Sequence, residues 1–355
     1  MKKLVSYLSI ILALSFWVAC QPDSIQPDLP GPPVSENGDQ TGNGNNENDG
    51  NNENDGNQNN QNNDNNGNND NNEDPEISDE VTKYTDAYGD IAYIPAGFSV
   101  STRSSEKSIR TGLVVTGPDG NEFVWIPTTS TAFAVQEFNS YFSGGGSISS
   151  YFDEKTADYQ AMSASVNKYH GFYMGRYEAS YGGGSSLKDY YPASKPVTSS
   201  NPGRIWVQFS PQDATVACAN LYADNETVQG FFPWGINWDT TLQWLIDSGA
   251  KSNHEVTKDS TGWGNYSDDS FSPGARGNYT GAFEEAKANN IYDLAGNNWE
   301  WTQERNGSNY VMRGGGYNLM GGSCPGSRYP AALRDPLPGN NHHPNVTFRV
   351  ALYLK

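Results

Sequence analysis

Residues that usually carry chemistry are scarce in this chain. It has 3 cysteines and 4 histidines in 355 residues, and no lysine or arginine between Gln21 and Glu80. Cys20 closes an apolar leader, so Cys218 and Cys324 can form at most one disulfide, which excludes a disulfide-stapled framework. A Cys218–Cys324 bridge and two buried thiols are both open. His342 and His343 adjoin asparagines, but no further ligand stands at a usable metal spacing, so the pair reads as a solvated loop. No Gly-x-Ser-x-Gly elbow marks a hydrolase. Gly-Gly-Gly occurs at 144–146, 182–184 and 314–316. None is followed by the Lys-Ser/Thr of a phosphate loop, which leaves hinges or tight backbone contacts. No basic patch is present, which excludes a nucleic-acid surface.

The residues that are present divide into regions. Residues 1–20 read as a signal peptide. Lys2 and Lys3 precede the apolar run Leu4–Val18, which is shorter than the ~20 residues of a membrane-spanning helix. Its end, "WVAC", resembles the lipobox of bacterial lipoproteins, with Trp17 where leucine is usual. That resemblance implies diacylglycerol on the Cys20 thiol. An ordinary signal peptide with an incidental cysteine is the plainer alternative.

Residues 21–78 form an Asn/Asp/Gly-rich linker without a single aromatic side chain. Such a segment buries too little apolar surface to offset the entropy of ordering, so a disordered tether is expected. As a flexible coil it would span on the order of 40 Å. Residues 21–80 hold 15 of the 41 acidic side chains. The formal charge of -19 is therefore mostly the tether's, and the remainder of the chain is only mildly acidic.

From Val81 onward, about 275 residues remain, enough for one large domain. Residues 79–165 read as a β-rich N-terminal extension of it, and 166–355 as its main part. Leu113–Val115 and Phe123–Ile126 flank the turn Pro118-Asp119-Gly120, which predicts a hairpin. Residues 129–165 are Ser- and Gly-rich and read as a surface insertion. In "SPQDATVACANLYA", Ser210 is the expected N-cap and Pro211 the first helical residue, with Cys218 on the inner face. In "NWDTTLQWLIDSG", Asp239 is the expected cap and Gly249 the stop. The closing "FRVALYL" alternates with period two, which predicts a strand with one buried face.

Several segments succeed one another in a known order: "GFYMGRYEAS" (Gly171–Ser180), "PVT" (Pro196–Thr198), the two helices above, "NIYDLAGNNWEWTQE", "VMRGGGYN" and "FRVALYL". This series resembles the sulfatase-modifying-factor family, whose founding member is the formylglycine-generating enzyme. The resemblance covers Tyr169 to Leu354. It implies an α+β, C-type lectin-like, formylglycine-generating-enzyme-like domain with high loop content. Enzymes of that family oxidise a cysteine of a sulfatase, using a copper-binding cysteine pair shortly after Arg-Gly-Gly. Two soft thiolates suit monovalent copper, and one does not make that site. Counted forward from Arg313, Cys324 stands at the second position and Leu319 at the first, whereas counted back from Arg328-Tyr329 even Cys324 is out of register by two residues; either way the pair is incomplete, so copper and oxidase activity are not expected. Were the chain an enzyme, Cys324 would be its candidate.

The resemblance also implies structural calcium. Asn297 matches the family's ligand asparagine and Glu300 supplies a carboxylate, both hard oxygen donors. The alternative is a tight turn whose Asn side chain satisfies backbone donors. A further family site uses an aspartate that "YTGAFEEAKANN" lacks. Finally, the interval Tyr317–Thr347 corresponds to the binding face of lectin-like folds. Its Asn, Gly, Ser, Arg and Tyr composition suits a recognition surface, and Tyr317, Asn318, Arg328, Tyr329, Arg334, Asn340, Asn341 and His342 are the candidate contacts. The chain is thus expected to be an exported lipoprotein, anchored in the bacterial envelope at the outer membrane or cell surface. It would display a non-catalytic module for a glycan or protein ligand, with a formylglycine-generating oxidoreductase and a structural envelope protein as alternatives.

Overall fold

The computed structural model describes residues 80–138, 147–186, 188–198, 203–267, 279–318, 329–340 and 342–355. The leader, Cys20, the tether, Leu319, Cys324, Arg328 and Asn341 lie outside them. The fold is mixed α+β, with more sheet than helix.

Near the start, β1 (Thr82–Thr85) and β2 (Ile91–Ile94) pair as an antiparallel hairpin. The main sheet collects β3 (Ser99–Val100), β4 (Val114–Thr116), β5 (Glu122–Pro127), β7 (Gly171–Gly175), β10 (Val228–Phe231) and β17 (Ala351–Leu354). Its order is β10-β17-β7-β5-β4-β3, antiparallel throughout. The predicted hairpin is the β4–β5 pair, in the register Val114↔Val124, and Gly120 takes φ +83° at its turn.

Strand alternation divides the apolar side chains between two cores. Phe123, Trp125, Tyr173, Leu352 and Leu354 face one, while Val124, Ile126, Phe172, Met174 and Ala351 face the other. The first core is closed by α2 (Pro211–Asn220) through Ala214, Ala217 and Cys218, together with Trp299, Trp301 and Met312 of the second sheet. The second core is closed by α1 (Ala157–Tyr169) and α3 (Gly235–Asp247). The closing segment therefore has two buried faces rather than one. Phe348 and Val350 are buried, and so are Arg349 and Ala351 on the opposite side.

Within 129–165 the described residues hold more regular structure than the composition suggests. They contribute β6 (Tyr151–Asp153) and most of α1. Thr156 caps α1 by accepting from the Tyr159 amide, and Tyr159, Met162, Val166 and Tyr169 make a narrow apolar stripe at helical spacing. The boundary at 165/166 falls inside this helix, and β5 and β7 from its two sides are neighbours in one sheet.

In the second sheet, β13 (Trp299–Asn306) is central. β14 (Asn309–Arg313) and then β15 (Asp335–Leu337) lie on one side, both antiparallel. On the other side β16 (Val346–Thr347) runs parallel to its first half and β6 antiparallel to its second half. β8 (Ser180–Gly183) with β9 (Tyr191–Ala193), and β11 (Lys287–Ala288) with β12 (Ile291–Tyr292), are small hairpins. The short α4 (Asn253–Thr257) carries a Ser252/Glu255 capping box.

α2 begins as its sequence dictates, with the Ser210 hydroxyl accepting from the Asp213 amide and Pro211 first in the helix. α3 does not. It starts at Gly235, before the expected cap Asp239, which is buried inside it. The cap comes from β6: the Asp153 carboxylate accepts from the amides of Gly235 and Ile236, each at 2.9 Å. Glycine is needed there, since a Cβ at 235 would lie 2.6 Å from the Glu304 carboxyl carbon.

Candidate functional site

Two clusters of buried charge are built around β13. In the first, Arg313 at the end of β14 meets Asp239 of α3 at 2.6 Å and Glu304 of β13 at 2.9 Å. Arg334 meets the other oxygen of each, Glu304 at 2.6 Å and Asp239 closer still. Each carboxylate thus bridges both guanidiniums in a closed ring, and all four side chains are at most 2% exposed. Asp153 sits opposite Glu304 in the β6–β13 register. Burial and the Glu304 charge push its carboxyl up to about 7, against the two amide bonds of the α3 cap.

The second cluster surrounds the turn of "YDLAGNNWEW". Arg349 takes Glu300 with two nitrogens, at 2.5 and 3.1 Å, and donates to the carbonyls of Gly175 and Tyr292. Asp293 accepts from the Gly281 amide at 2.7 Å and the Thr280 hydroxyl at 3.0 Å. Glu178, from "GRYEAS", accepts from the Asn298 amide at 3.1 Å and from the Asn297 side-chain amide. Asp293 and Asn297 both adopt left-handed backbone, at φ 59° and 56°, a conformation that Asp and Asn tolerate better than most residues. Three buried carboxyls therefore lie in the field of one guanidinium, which pairs directly with Glu300. Burial and the charges of Asp293 and Glu300 hold Glu178 well above the usual carboxylate range. Burial pushes Asp293 up to about 6.

Asn297 and Glu300, the expected metal ligands, both belong to this cluster, but Glu300 does not face an open loop. Arg349 occupies both of its oxygens. The carboxylate beside Asn297 is Glu178, which sequence reasoning missed although it lies in one of the family-like motifs. The signal was an acid inside an otherwise apolar and aromatic run. Trp299 and Trp301 lie on the same side of β13 and pack in the first core.

The candidate recognition face rises from this frame. The Tyr266 hydroxyl lies between the carbonyls of Gly314 and Tyr329, at 2.7 and 2.9 Å, with its one hydrogen to give to either, and so sits where the two roots of the loop meet. The 314–316 glycine run is a tight backbone contact, since a Cβ on Gly315 would lie 2.4 Å from the Tyr329 carbonyl. The Tyr317 amide donates to Asn297 O and its hydroxyl to the Asn345 side chain. Tyr329 stands edge-on to Trp299 with ring centroids 5.8 Å apart. His342 lies against the Gln208 carbonyl, 3.1 Å from its ring nitrogen. Tyr317 and Tyr329 are half-buried, and Asn318, Asn340 and His342 are exposed. Arg334 is not part of this face. It is fully buried in the first ion-pair ring, because Asp239 and Glu304 need a second guanidinium.

No family model and no curated protein matches this chain. Among solved structures it is similar to PvdO from Pseudomonas aeruginosa, with a TM-score of 0.37 and 15% identity over 68% of this chain and 98% of that one. CarF gives 0.35 and 13% over 52% and 87%. Treponema denticola variable protein 1 gives 0.26 and 14% over 76% and 98%. These likenesses assign no family.

Cys218, the one cysteine among the described residues, is a free thiol. It is 0% exposed on the inner face of α2, where burial pushes it well above its ordinary pKa. A thiol held protonated is neither a nucleophile nor a metal ligand.

Proposed function

We propose that this chain is an exported, lipid-anchored bacterial lipoprotein whose folded part is a formylglycine-generating-enzyme-like, C-type lectin-like domain, working as a non-catalytic binding module for a glycan or protein. The observation that carries this reading is the way the described residues of the terminal loops are set. Their roots are fixed by buried ion pairs and by Tyr266, while Tyr317, Asn318, Tyr329, Asn340 and His342 remain at or near the surface. Loops on a rigid base are a general solution for recognition. The motifs behind the family resemblance supply Glu178, Asp293, Glu300, Arg313 and Arg349, all buried, with Glu300, Arg313 and Arg349 in ion pairs and Glu178 and Asp293 held by hydrogen bonds. They are consistent with a shared scaffold and need no shared reaction.

The test is a glycan and surface-protein array probed with the full-length chain. A hit should weaken at least about tenfold in Tyr317→Ala/Asn318→Ala, while stability falls by no more than about 1–2 kcal/mol, the cost of a half-buried ring and one hydrogen bond. Binding that ignores this change would sink the reading. So would formylglycine formation on a sulfatase peptide, with copper supplied, that disappears in Cys324→Ser.

The excess of carboxyls around Asn297 supports structural calcium as an adjunct to that scaffold, with Glu178 and Asn297 as the oxygen donors. At pH 8, millimolar calcium is then expected to raise the Tm by several degrees through linkage, and Glu178→Gln to abolish the rise. An unchanged Tm in calcium would remove the ion from the reading and leave protons as the counter-charge.

A further inference from the structure

The surface holds a second constellation, on the β8–β9 hairpin and the β4–β5 turn, that the terminal loops do not use. Tyr181 and Tyr191 are among the exposed large side chains, at 48% and 36%. Neither ring hangs loosely. Tyr181 stands edge-on to Tyr190 and Trp206, at 5.6 and 5.4 Å, and its hydroxyl donates to the Gly184 carbonyl at 2.5 Å. Tyr191 lies on the 182–184 glycine run: a Cβ on Gly182 would come within 2.7 Å of the ring and one on Gly183 within 2.3 Å of its hydroxyl. Successive glycines weaken a strand, and here they let a half-exposed ring lie against the backbone.

Both tyrosines line a notch of about 150 Å³ with Asp119, Asn121 and Lys195 in its wall. Its polar groups are preset. Asn121 is 1% exposed, and its side-chain oxygen accepts from the Ser194 amide. The Asp119 carboxylate accepts from the Asn121 amide at 3.2 Å, the Asn121 side chain at 2.6 Å and the Tyr222 hydroxyl at 2.5 Å. A carboxylate has about four acceptor sites, so one remains. The Lys195 ammonium gives one hydrogen to the Asp119 carbonyl and keeps two. On the other side of Tyr191 a shallower depression of about 410 Å³ runs over Pro118, Asn220 and Tyr222, and it shares Asp119 and Tyr191 with the notch.

We propose that this notch binds one pyranose unit of a linear glycan, with the next unit lying across Tyr191 into the adjoining depression. A pyranose presents apolar C–H faces and a rim of hydroxyls, each both donor and acceptor. The faces match fixed, half-exposed tyrosine rings. The rim matches a carboxylate acceptor beside an ammonium donor, a pairing that vicinal hydroxyls satisfy together. A proline-rich peptide would also find the rings, but its polar groups are carbonyl acceptors, and the free site of Asp119 would face no donor. Because the rings and the carboxylate are already held, little ordering entropy is lost on binding.

Saturation-transfer NMR with cellohexaose, mannohexaose and chitohexaose, using the full-length chain, tests this. At least one should receive saturation, strongest at ring C–H protons. Its Kd by calorimetry should rise at least about tenfold in Tyr191→Ala, and markedly in Asp119→Asn, which keeps the side chain's shape. Tyr317→Ala should leave this binding unchanged, which separates the notch from the terminal face. Transfer to none of the three sugars overturns the proposal. So does transfer that survives both notch variants, or decaproline binding that is lost in them.

Discussion

Arg334→Met is expected to destabilise the fold by roughly 3–5 kcal/mol, the usual cost of removing one partner from a buried ion pair. Methionine has similar length and fits an apolar site, so lost packing is a small part of that figure. The main cost is electrostatic. Arg334 takes one oxygen of Asp239 and one of Glu304. Without it, Arg313 alone faces both carboxylates, with Asp153 close by. All of these groups are buried and beyond the reach of solvent. Urea denaturation at pH 7.5 measures the loss. A cycle with Glu304→Gln should show coupling, because the double variant strands less charge than the single changes added together. A loss below about 1 kcal/mol, typical of a surface pair, would mean that the ring contributes little.

The same residue shows where sequence reasoning reaches its limit. Arg334 belongs to the interval Tyr317–Thr347, whose overall composition suits a recognition face, and that composition points to the wrong place for it. Its partners, Asp239 and Glu304, are 95 and 30 residues away, and local composition says nothing about them. α2 is legible because each of its signals is local: cap, first-turn proline and inner stripe. The start of α3 misleads for the converse reason. Asp239 has the residue type of a cap, but the actual cap is Asp153, 82 residues before the Gly235 amide it accepts from. The segment around Trp299 and Trp301 is legible as core from its period, whereas the partner of Glu300 is not, because Arg349 is 49 residues further on. Apolar periodicity exposes the shell of a fold. Buried polar pairs are long-range and leave little trace in any one window.

Asp153 yields the second large effect, and its sign runs against the ordinary behaviour of a helix cap. An ionised aspartate at a helix N-terminus is normally stabilising, through its amide bonds and the helix dipole. Here burial and the facing Glu304 raise the folded-state value to about 7, above the ~3.9 of an unfolded chain. Between those values the native state holds a proton that the unfolded state has released. This contribution is therefore complete below about pH 4 and is lost as pH rises through about 7, a difference on the order of 2–4 kcal/mol. Asp153→Asn keeps an acceptor for the α3 amides and does not titrate. Relative to the wild type, it should be stabilising by about 1–2 kcal/mol at pH 5 and by more at pH 8, as read from urea midpoints at the two values. The reverse order, with Asn costing more at pH 8 than at pH 5, would show that the cap outweighs both burial and Glu304.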